Sequence, residues 1–141
     1  NAERFPDATE IIVDSVPDWL HRTELPPYSY VVIVTRGHRH DLDALRALAA
    51  RDLRYLGLIG SKAKVLKIFE ELATESMPSE CLQRVHAPIG LDIGAVTPQE
   101  IAVSILAELI AVKYGKVNIG KSGDDSTVQS MRWTPKNLKT S

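Results

Sequence analysis

The feature that most constrains the fold of this chain is an unbroken apolar and β-branched run, Tyr30-Val31-Val32-Ile33-Val34-Thr35. A strand that is apolar at every position, rather than at alternate positions, is typical of a parallel sheet whose two faces are both covered. Pro26-Pro27 ends any helix that precedes the run. The run therefore predicts a buried strand over residues 30–35.

Helical and strand patterns alternate after this run. Asp41 can cap a helix whose leucines repeat every three or four residues from position 42 to position 48, and residues 55–59 form the next strand-like run. Gly60-Ser61 breaks that strand, and a second apolar stripe predicts a helix around residues 65–72. The repeating order of strand and helix implies a parallel sheet with right-handed helical crossovers.

Four further elements complete the predicted domain. A short strand at residues 10–13 and a short helix at residues 15–25 precede the main run, and another short helix follows at residues 79–84. Thr97-Pro98-Gln99-Glu100 combines a capping box with proline at the first helical position, and it predicts a helix that continues to about Tyr114 and stops at Gly115. The pattern favours one α/β, Rossmann-like domain over residues 1–115.

Residues 116–141 differ from the rest of the chain. They are rich in lysine, serine, threonine and glycine and show no apolar period. We expect a polar, flexible tail in which only Met131 and Trp133 can act as anchors. With 141 residues, 44% of them apolar, the chain can bury one core, so a single domain is expected.

Composition excludes several classes of function. The formal net charge is −1, so the chain lacks the overall positive field that holds nucleic acid or an anionic membrane. Its longest apolar stretch, residues 101–112, is too short to span a bilayer, and no signal peptide opens the sequence. The single cysteine, Cys81, agrees with a reducing compartment. These features predict a cytoplasmic protein.

Three segments are predicted to meet in a ligand crevice. In an open parallel sheet, ligands bind outside the carboxyl ends of the strands. Two of the segments follow predicted strands, and the third precedes the capped helix. They are Thr35-Arg36-Gly37-His38, Gly60-Ser61-Lys62 and Pro88-Ile89-Gly90-Leu91-Asp92-Ile93-Gly94.

The segment Gly60-Ser61-Lys62 has the clearest chemistry of the three. Here a strand is followed by a glycine, a hydroxyl side chain and the start of a helix. This order brings backbone N–H groups and the positive end of a helix dipole to one point. This arrangement suits a phosphate, to which Lys62 and Lys64 could add positive charge. The alternative is that Ser61 only caps the helix.

The other candidate positions are a glycine-containing loop and a glutamate. Gly90 and Gly94 suggest backbone that bends or lets a ligand come close, although a tightly packed connection would also explain them. Glu100 belongs to the capping box, whereas Glu108 on the same apolar helix has no such explanation. Glu108 is therefore a candidate for contact with a ligand or a partner.

Metal and catalytic sites are not expected. His38, His40 and Asp41 lie within four residues, but a stable zinc site needs at least three convergent ligands at a suitable spacing. The other candidates, His86 and Cys81, lie on separate segments, so we expect His38 to make a polar contact with a ligand or with backbone instead. The sequence contains no dinucleotide-binding glycine pattern, P-loop or nucleophile elbow, and no catalytic residue is predicted.

Four ordered blocks of this sequence resemble the signature blocks of the XdhC/CoxI family. They are residues 34–38 (VTRGH) with Asp41, residues 55–62 (YLGLIGSK) with Lys64, residues 86–94 (HAPIGLDIG), and Thr97-Pro98 with residues 100–108 (EIAVSILAE). The resemblance spans roughly residues 3–112 and leaves out the tail. It implies the carboxyl-terminal Rossmann-like domain of that family.

The resemblance implies an accessory role in the maturation of molybdenum hydroxylases such as xanthine dehydrogenase. Such a protein binds molybdenum cofactor (molybdopterin) as cargo, protects it during sulfuration and hands it to the apo-enzyme, so its partners are that apo-enzyme and a sulfur donor. It is then a cofactor-binding chaperone rather than an enzyme. Two alternatives stay open. One is an NAD(P)-dependent oxidoreductase that binds a nucleotide and has its glycine-rich turn outside these residues; the other is a structural or partner-binding domain.

The sequence departs from the family pattern at its beginning. The opening strand, glycine-rich turn and second strand of a Rossmann domain would precede Glu3, and this sequence does not contain them. We therefore expect this chain to be part of a longer domain. The unpaired edge of its apolar strand would then be able to pair with another strand. The expected assembly is a homodimer or a pairing with the missing amino-terminal part.

Overall fold

The computed structural model describes residues 3–118 and 127–132, and these residues form an α/β structure with a parallel sheet. The elements are, in chain order, α1 (Val16–His21), β1 (Tyr30–Ile33), α2 (His38–Leu48), β2 (Tyr55–Leu58), α3 (Lys62–Thr74), α4 (Ser79–Gln83), α5 (Pro98–Lys113), β3 (Val117–Asn118) and β4 (Val128–Gln129). The predicted α/β class with helical crossovers is confirmed.

The sheet is built around β2. Strand β1 pairs with β2 in parallel, with Tyr30 opposite Tyr55 and Ile33 opposite Leu58. On the other side of β2, a parallel bridge joins Gly57 to His86, and the amide of His86 donates to the carbonyl of Leu56 at 2.8 Å. The segment around His86 therefore continues the sheet, and it places β2 in the middle.

The two faces of the sheet are covered differently. Helices α2 and α3 pack on one face, where Leu45, Leu58, Ile68 and Phe69 are fully buried in the core. Helix α5 covers part of the other face, because Glu108 on α5 reaches the side chain of Tyr55. The predicted course of α5 is confirmed, including the capping box of Thr97 and Glu100 and the stop at Gly115.

Helix α5 is polar toward the protein and apolar toward the outside. Its buried residues include Ser104 and Glu108, whereas Val103, Leu106 and Ile110 are exposed and follow one another at helical spacing. No helix within residues 3–118 and 127–132 is long and apolar enough to cross a membrane. The expected homodimer, or pairing with another part of the protein, stays a prediction.

The structure corrects the predicted strand at residues 10–13, the end of α1, which lies at His21 rather than near residue 25, and the ends of β1 and β2. Residues 10–13 form no strand among the described residues, and Val13 is 90% exposed. A strand needs a hydrogen-bonded neighbour, and β-branched composition does not supply one. Strands β1 and β2 end at Ile33 and Leu58, earlier than predicted, because the chain leaves the ladder to form the loops of the carboxyl edge.

The described part of the tail is anchored by a buried polar residue rather than by an apolar one. Met131 is partly exposed, whereas Ser130 is buried and pairs with Leu91 through an antiparallel bridge. Strand β4 lies parallel to β3. The anchor within residues 127–132 is thus Ser130 rather than Met131, and Trp133 lies outside the described residues. The domain boundary at residue 115 and the flexibility of the tail stay predictions.

Candidate functional site

The first two predicted segments adjoin at the carboxyl edge of the sheet. Strands β1 and β2 are neighbours, and the amide of Ile59 still donates to the carbonyl of Ile33 at 3.2 Å where the strands end. The loop from Thr35 to His38 and the turn from Gly60 to Lys62 therefore leave the sheet side by side. The two helices that follow them, α2 and α3, start at this edge.

A buried carboxylate connects these two loops. Asp41 is fully buried in the first turn of α2, where the hydroxyl of Thr35 donates to its Oδ1 at 2.5 Å and the ammonium of Lys64 contacts its Oδ2. The predicted capping role of Asp41 is wrong, since the N-cap of α2 is Gly37. Gly37 has a φ of 112°, a conformation that favours glycine. Lys64 is thus paired with Asp41 and does not point to an external anion.

This carboxylate gives the first testable prediction. Replacing Lys64 by methionine keeps the length of the side chain but leaves the buried Asp41 without its positive partner. We expect the free energy of unfolding to fall by about 1–3 kcal/mol, measured by urea denaturation. Lys62→Met, which removes an exposed charge two residues away, should change stability by less than about 0.5 kcal/mol. Equal effects of the two substitutions would show that the contact between Lys64 and Asp41 does not itself stabilise the fold.

The amino terminus of α3 has the features that suit an anion. Ser61 is the N-cap, and its hydroxyl accepts the amide of Lys64 at 3.2 Å, so the predicted cap is confirmed. The first turn of α3 carries no acidic residue. Ser61 and Lys62 are exposed. The helix dipole and the charge of Lys62 therefore give this point of the edge a positive potential.

The remaining residues of the first loop differ in their exposure to solvent. Arg36 and Gly37 are exposed, so Arg36 can reach a ligand at the edge. His38 is partly buried, and its Nε2 lies 2.6 Å from Oε1 of Glu71 in the third turn of α3. His38 therefore makes a polar contact with a side chain of α3, whereas the sequence predicts a contact with a ligand or with backbone. Its contact with a ligand stays a prediction.

The third segment is mostly enclosed. Pro88 and Gly90 are buried, while Asp92 and Gly94 are exposed. The amide of Asp92 donates to the carbonyl of Gln129 in β4 at 3.0 Å. This segment adjoins the end of β2, because the amide of Ile89 donates to the carbonyl of Leu58 at 3.1 Å. Of the four predicted residues here, only Asp92 and Gly94 are open to a ligand.

Glu108 is the centre of a buried polar network. Its Oε1 accepts the Tyr55 hydroxyl at 2.6 Å and the Gly90 amide at 3.2 Å, and its Oε2 accepts the Ser130 hydroxyl at 2.5 Å. Nδ1 of His86 lies 3.3 Å from Oε1, and the imidazole ring stacks on the Tyr55 ring with centroids 4.5 Å apart. The carboxylate is fully buried. Its hydrogen bonds connect separate segments of the chain.

The electrostatics of this network favour a charged carboxylate. Burial raises the pKa of Glu108, but the contacts with His86, Ser130 and Tyr55 outweigh this effect and hold the pKa below its usual value. The same arrangement raises the pKa of Tyr55, through burial first and then through the bond to Glu108. The network therefore contains an ionised glutamate and a neutral tyrosine at neutral pH.

Sequence reasoning identified Glu108 but not its partners. Tyr55 is 53 residues away from it and Ser130 is 22 residues away, and no motif spacing connects them. The available signal was that a carboxylate on an apolar helix needs partners when it is buried.

Within the described residues, no group of His, Cys, Asp and Glu side chains could hold a metal ion.

Comparison with known proteins places this structure in a family. The sequence model of the XdhC Rossmann domain matches residues 1–109. The chain is 37% identical over 114 residues to the uncharacterized protein YqeB of Escherichia coli, covering 80% of this chain and 21% of that protein. It is 32% identical over 109 residues to a probable xanthine dehydrogenase subunit from Bacillus subtilis, covering 77% of this chain and 31% of that protein.

A solved structure agrees with this match. The crystal structure of a xanthine dehydrogenase from Bacillus halodurans superposes with a TM-score of 0.71 and 34% sequence identity, over 82% of this chain and 34% of that chain. The chain thus spans between about a fifth and a third of the lengths of these relatives. The confirmed parallel α/β fold and the match over residues 1–109 show that the chain belongs to the XdhC Rossmann domain family.

Proposed function

We propose that this protein assists the maturation of a molybdenum hydroxylase of the xanthine dehydrogenase type. In this role it binds molybdenum cofactor as cargo, protects it during sulfuration and delivers it to the apo-enzyme. Its partners are then the apo-enzyme and a sulfur donor. Membership of the XdhC Rossmann domain family supports this role, as do two relatives whose names refer to xanthine dehydrogenase.

The observation that carries the proposal is the amino terminus of α3 at the carboxyl edge. Molybdenum cofactor carries a phosphate, and the exposed Ser61 and Lys62 stand at a helix start that has no acidic residue in its first turn. The backbone amides of a first helical turn have no partners within the helix and can donate to phosphate oxygens. Arg36, on the adjacent loop, is exposed and can add a second positive charge.

The residues of the chain suit the phosphate end of the cofactor better than its metal end. The only cysteine, Cys81, follows α3 and lies with the residues that precede β2, away from the carboxyl edge. No metal-binding group is found in the part of the chain that the structure describes. We therefore assign Ser61, Lys62 and Arg36 to the phosphate. Gly60, Gly37, Asp92 and Gly94 line the surrounding edge in this proposal.

A charge at Ser61 tests the proposal directly. Aspartate caps helices as well as serine does, so Ser61→Asp should keep α3 folded while its carboxylate repels a phosphate. We expect the dissociation constant for molybdenum cofactor, measured by equilibrium binding, to rise at least about tenfold, which corresponds to about 1.4 kcal/mol.

Ser61→Asn is the matched control, since asparagine also caps a helix but carries no charge. It should bind within about twofold of the unchanged protein. Equal affinities for the aspartate and asparagine variants would reject Ser61 as the phosphate seat. Absence of cofactor binding by the unchanged protein, combined with hydride transfer from a nicotinamide cofactor, would favour the alternative function of an NAD(P)-dependent oxidoreductase.

A further inference from the structure

Four arginines line a cleft at the amino edge of the sheet. The cleft has a volume of about 190 Å³, and its charged lining consists of Arg51, Arg54, Arg84 and Arg132. Arg54 directly precedes β2 and Arg84 precedes the segment of His86, so the cleft lies at the opposite end of the strands from the carboxyl-edge site. Its lining contains no carboxylate among the residues of known position.

Backbone carbonyls at helix ends hold three of these arginines in place. Arg51 donates to a carbonyl just after α1 at 2.7 Å, and Arg54 donates to the last turn of α5 at 2.9 Å. Arg84 reaches the C-cap carbonyl of α2 at 3.5 Å. Helix carboxyl ends attract cations but carry only partial charge. The guanidinium groups are therefore positioned in advance while most of their positive charge stays uncompensated.

Arg132 provides the second observation. Its Nε is buried and has no hydrogen-bond partner among the described residues. Burial lowers the pKa of Arg132, and the negative charge of Glu108 opposes this effect only in part. Native structures pair nearly all buried N–H groups, so an exception indicates an acceptor, such as a bound anion, that the described residues do not supply. The acceptor would lie in a cleft that four arginines make positively charged, and such a cleft favours an anion.

We propose that this cleft binds a small oxyanion, the phosphate or carboxylate group of a metabolite. Arginine is the side chain best suited to such groups, because its planar guanidinium donates two parallel hydrogen bonds to a pair of oxygens. Arg132 and Arg84 make the main contacts, and Arg51 and Arg54 add charge at the rim. The site is separate from the phosphate seat at Ser61, so neither proposal depends on the other.

The unchanged protein allows a test without any substitution. Inorganic phosphate is titrated at constant ionic strength, while the arginine Nε–Hε and backbone amide signals are followed by nuclear magnetic resonance. We expect saturable shifts of the Arg132 Nε–Hε signal and of amides in residues 49–56 and 81–84. A parallel titration with acetate distinguishes a phosphate site from a carboxylate site by which anion saturates at the lower concentration. Shifts restricted to residues 60–64, or shifts that never saturate, would overturn the proposal.

A pair of arginine substitutions then locates the site. Arg132→Gln removes the charge of the buried guanidinium and should raise the dissociation constant of the stronger anion at least about tenfold. Arg39→Gln, at a side chain that is 82% exposed outside the cleft, should change it less than about twofold. Ser61→Asp should leave binding at the cleft unchanged, which separates this site from the one at the carboxyl edge. Equal affinities of the two glutamine variants would show that the cleft is not the site.

Discussion

Replacing Glu108 by alanine should lower the free energy of unfolding by about 3–5 kcal/mol, the usual effect of removing one partner from a buried charged network. The substitution leaves the hydroxyls of Tyr55 and Ser130 and the amide of Gly90 without their acceptor. Urea denaturation monitored by circular dichroism measures the change. Glu70→Ala, at an exposed position of α3, is the control and should have an effect below about 0.5 kcal/mol.

The contribution of Glu108 should also depend on pH in a defined direction. Its pKa is lower in the folded protein than the value of about 4.3 expected for an unfolded chain. The unfolded state therefore binds the proton more readily, and the stabilisation is complete above about pH 4.3 and is lost as the pH falls through the folded-state pKa. The difference in stability between the unchanged protein and Glu108→Gln should shrink as the pH falls from about 4.3 to about 3.

The other carboxylates with lowered pKa values, Asp14, Glu75 and Glu100, are present in both proteins, so their effects cancel in the difference. A difference that stays constant down to pH 3 would mean that Glu108 has the same pKa in the folded and unfolded states, contrary to the lowered pKa argued from its contacts. The network would then not contribute to acid sensitivity.

Replacing Gly90 by alanine is the second substitution with a large expected effect. Gly90 has a φ of 106°, and a Cβ atom there would lie 2.5 Å from the hydroxyl oxygen of Ser104 on α5. The backbone cannot move away easily, because the Gly90 amide donates to Glu108 and the Gly90 carbonyl accepts the amide of Met131 at 2.9 Å. We expect a loss of about 2–5 kcal/mol, which combines the backbone strain with the steric overlap.

Gly94→Ala separates these two contributions. Gly94 also has a positive φ, of 76°, but no atom lies within 4 Å of a Cβ built there. Its replacement should therefore cost only the backbone strain, about 1–2 kcal/mol. Adding Ser104→Ala to the Gly90→Ala variant should recover part of the lost stability. Equal losses at the two glycines, with no recovery in the double variant, would contradict the close packing of this loop against α5.

Local chemistry was sufficient to predict the order of the main elements and the starts of α3 and α5. The β-branched runs and the apolar stripes of α2 and α3 have different periods, so strand and helix were distinguishable along the chain. Ser61 and the pair Thr97 and Glu100 act within one helical turn, and the structure confirms both caps. The carboxyl edge follows from the parallel order of the strands, because each strand leaves the sheet in the same direction.

Contacts between distant residues could not be predicted in this way. Residues 10–13 have the composition of a strand, but a strand forms only where a neighbour accepts its hydrogen bonds, and composition does not reveal the neighbour. The sequence predicts a capping role for Asp41, but burial beside α3 pairs this residue with Lys64. In the same way, no spacing predicts that Arg51, Arg54, Arg84 and Arg132 line one cleft.

Periodicity and residues within one helical turn are sufficient to predict the α/β class, the caps of α3 and α5, and the edge of the sheet where the predicted binding segments lie. Which polar groups are buried together depends instead on contacts between segments that are far apart in the chain. Glu108 shows the reason most clearly, since its partners come from β2, the loop at Gly90 and the tail at Ser130. Folding removes these groups from water, and a buried charge must then be hydrogen-bonded or paired by whichever residues the chain brings beside it.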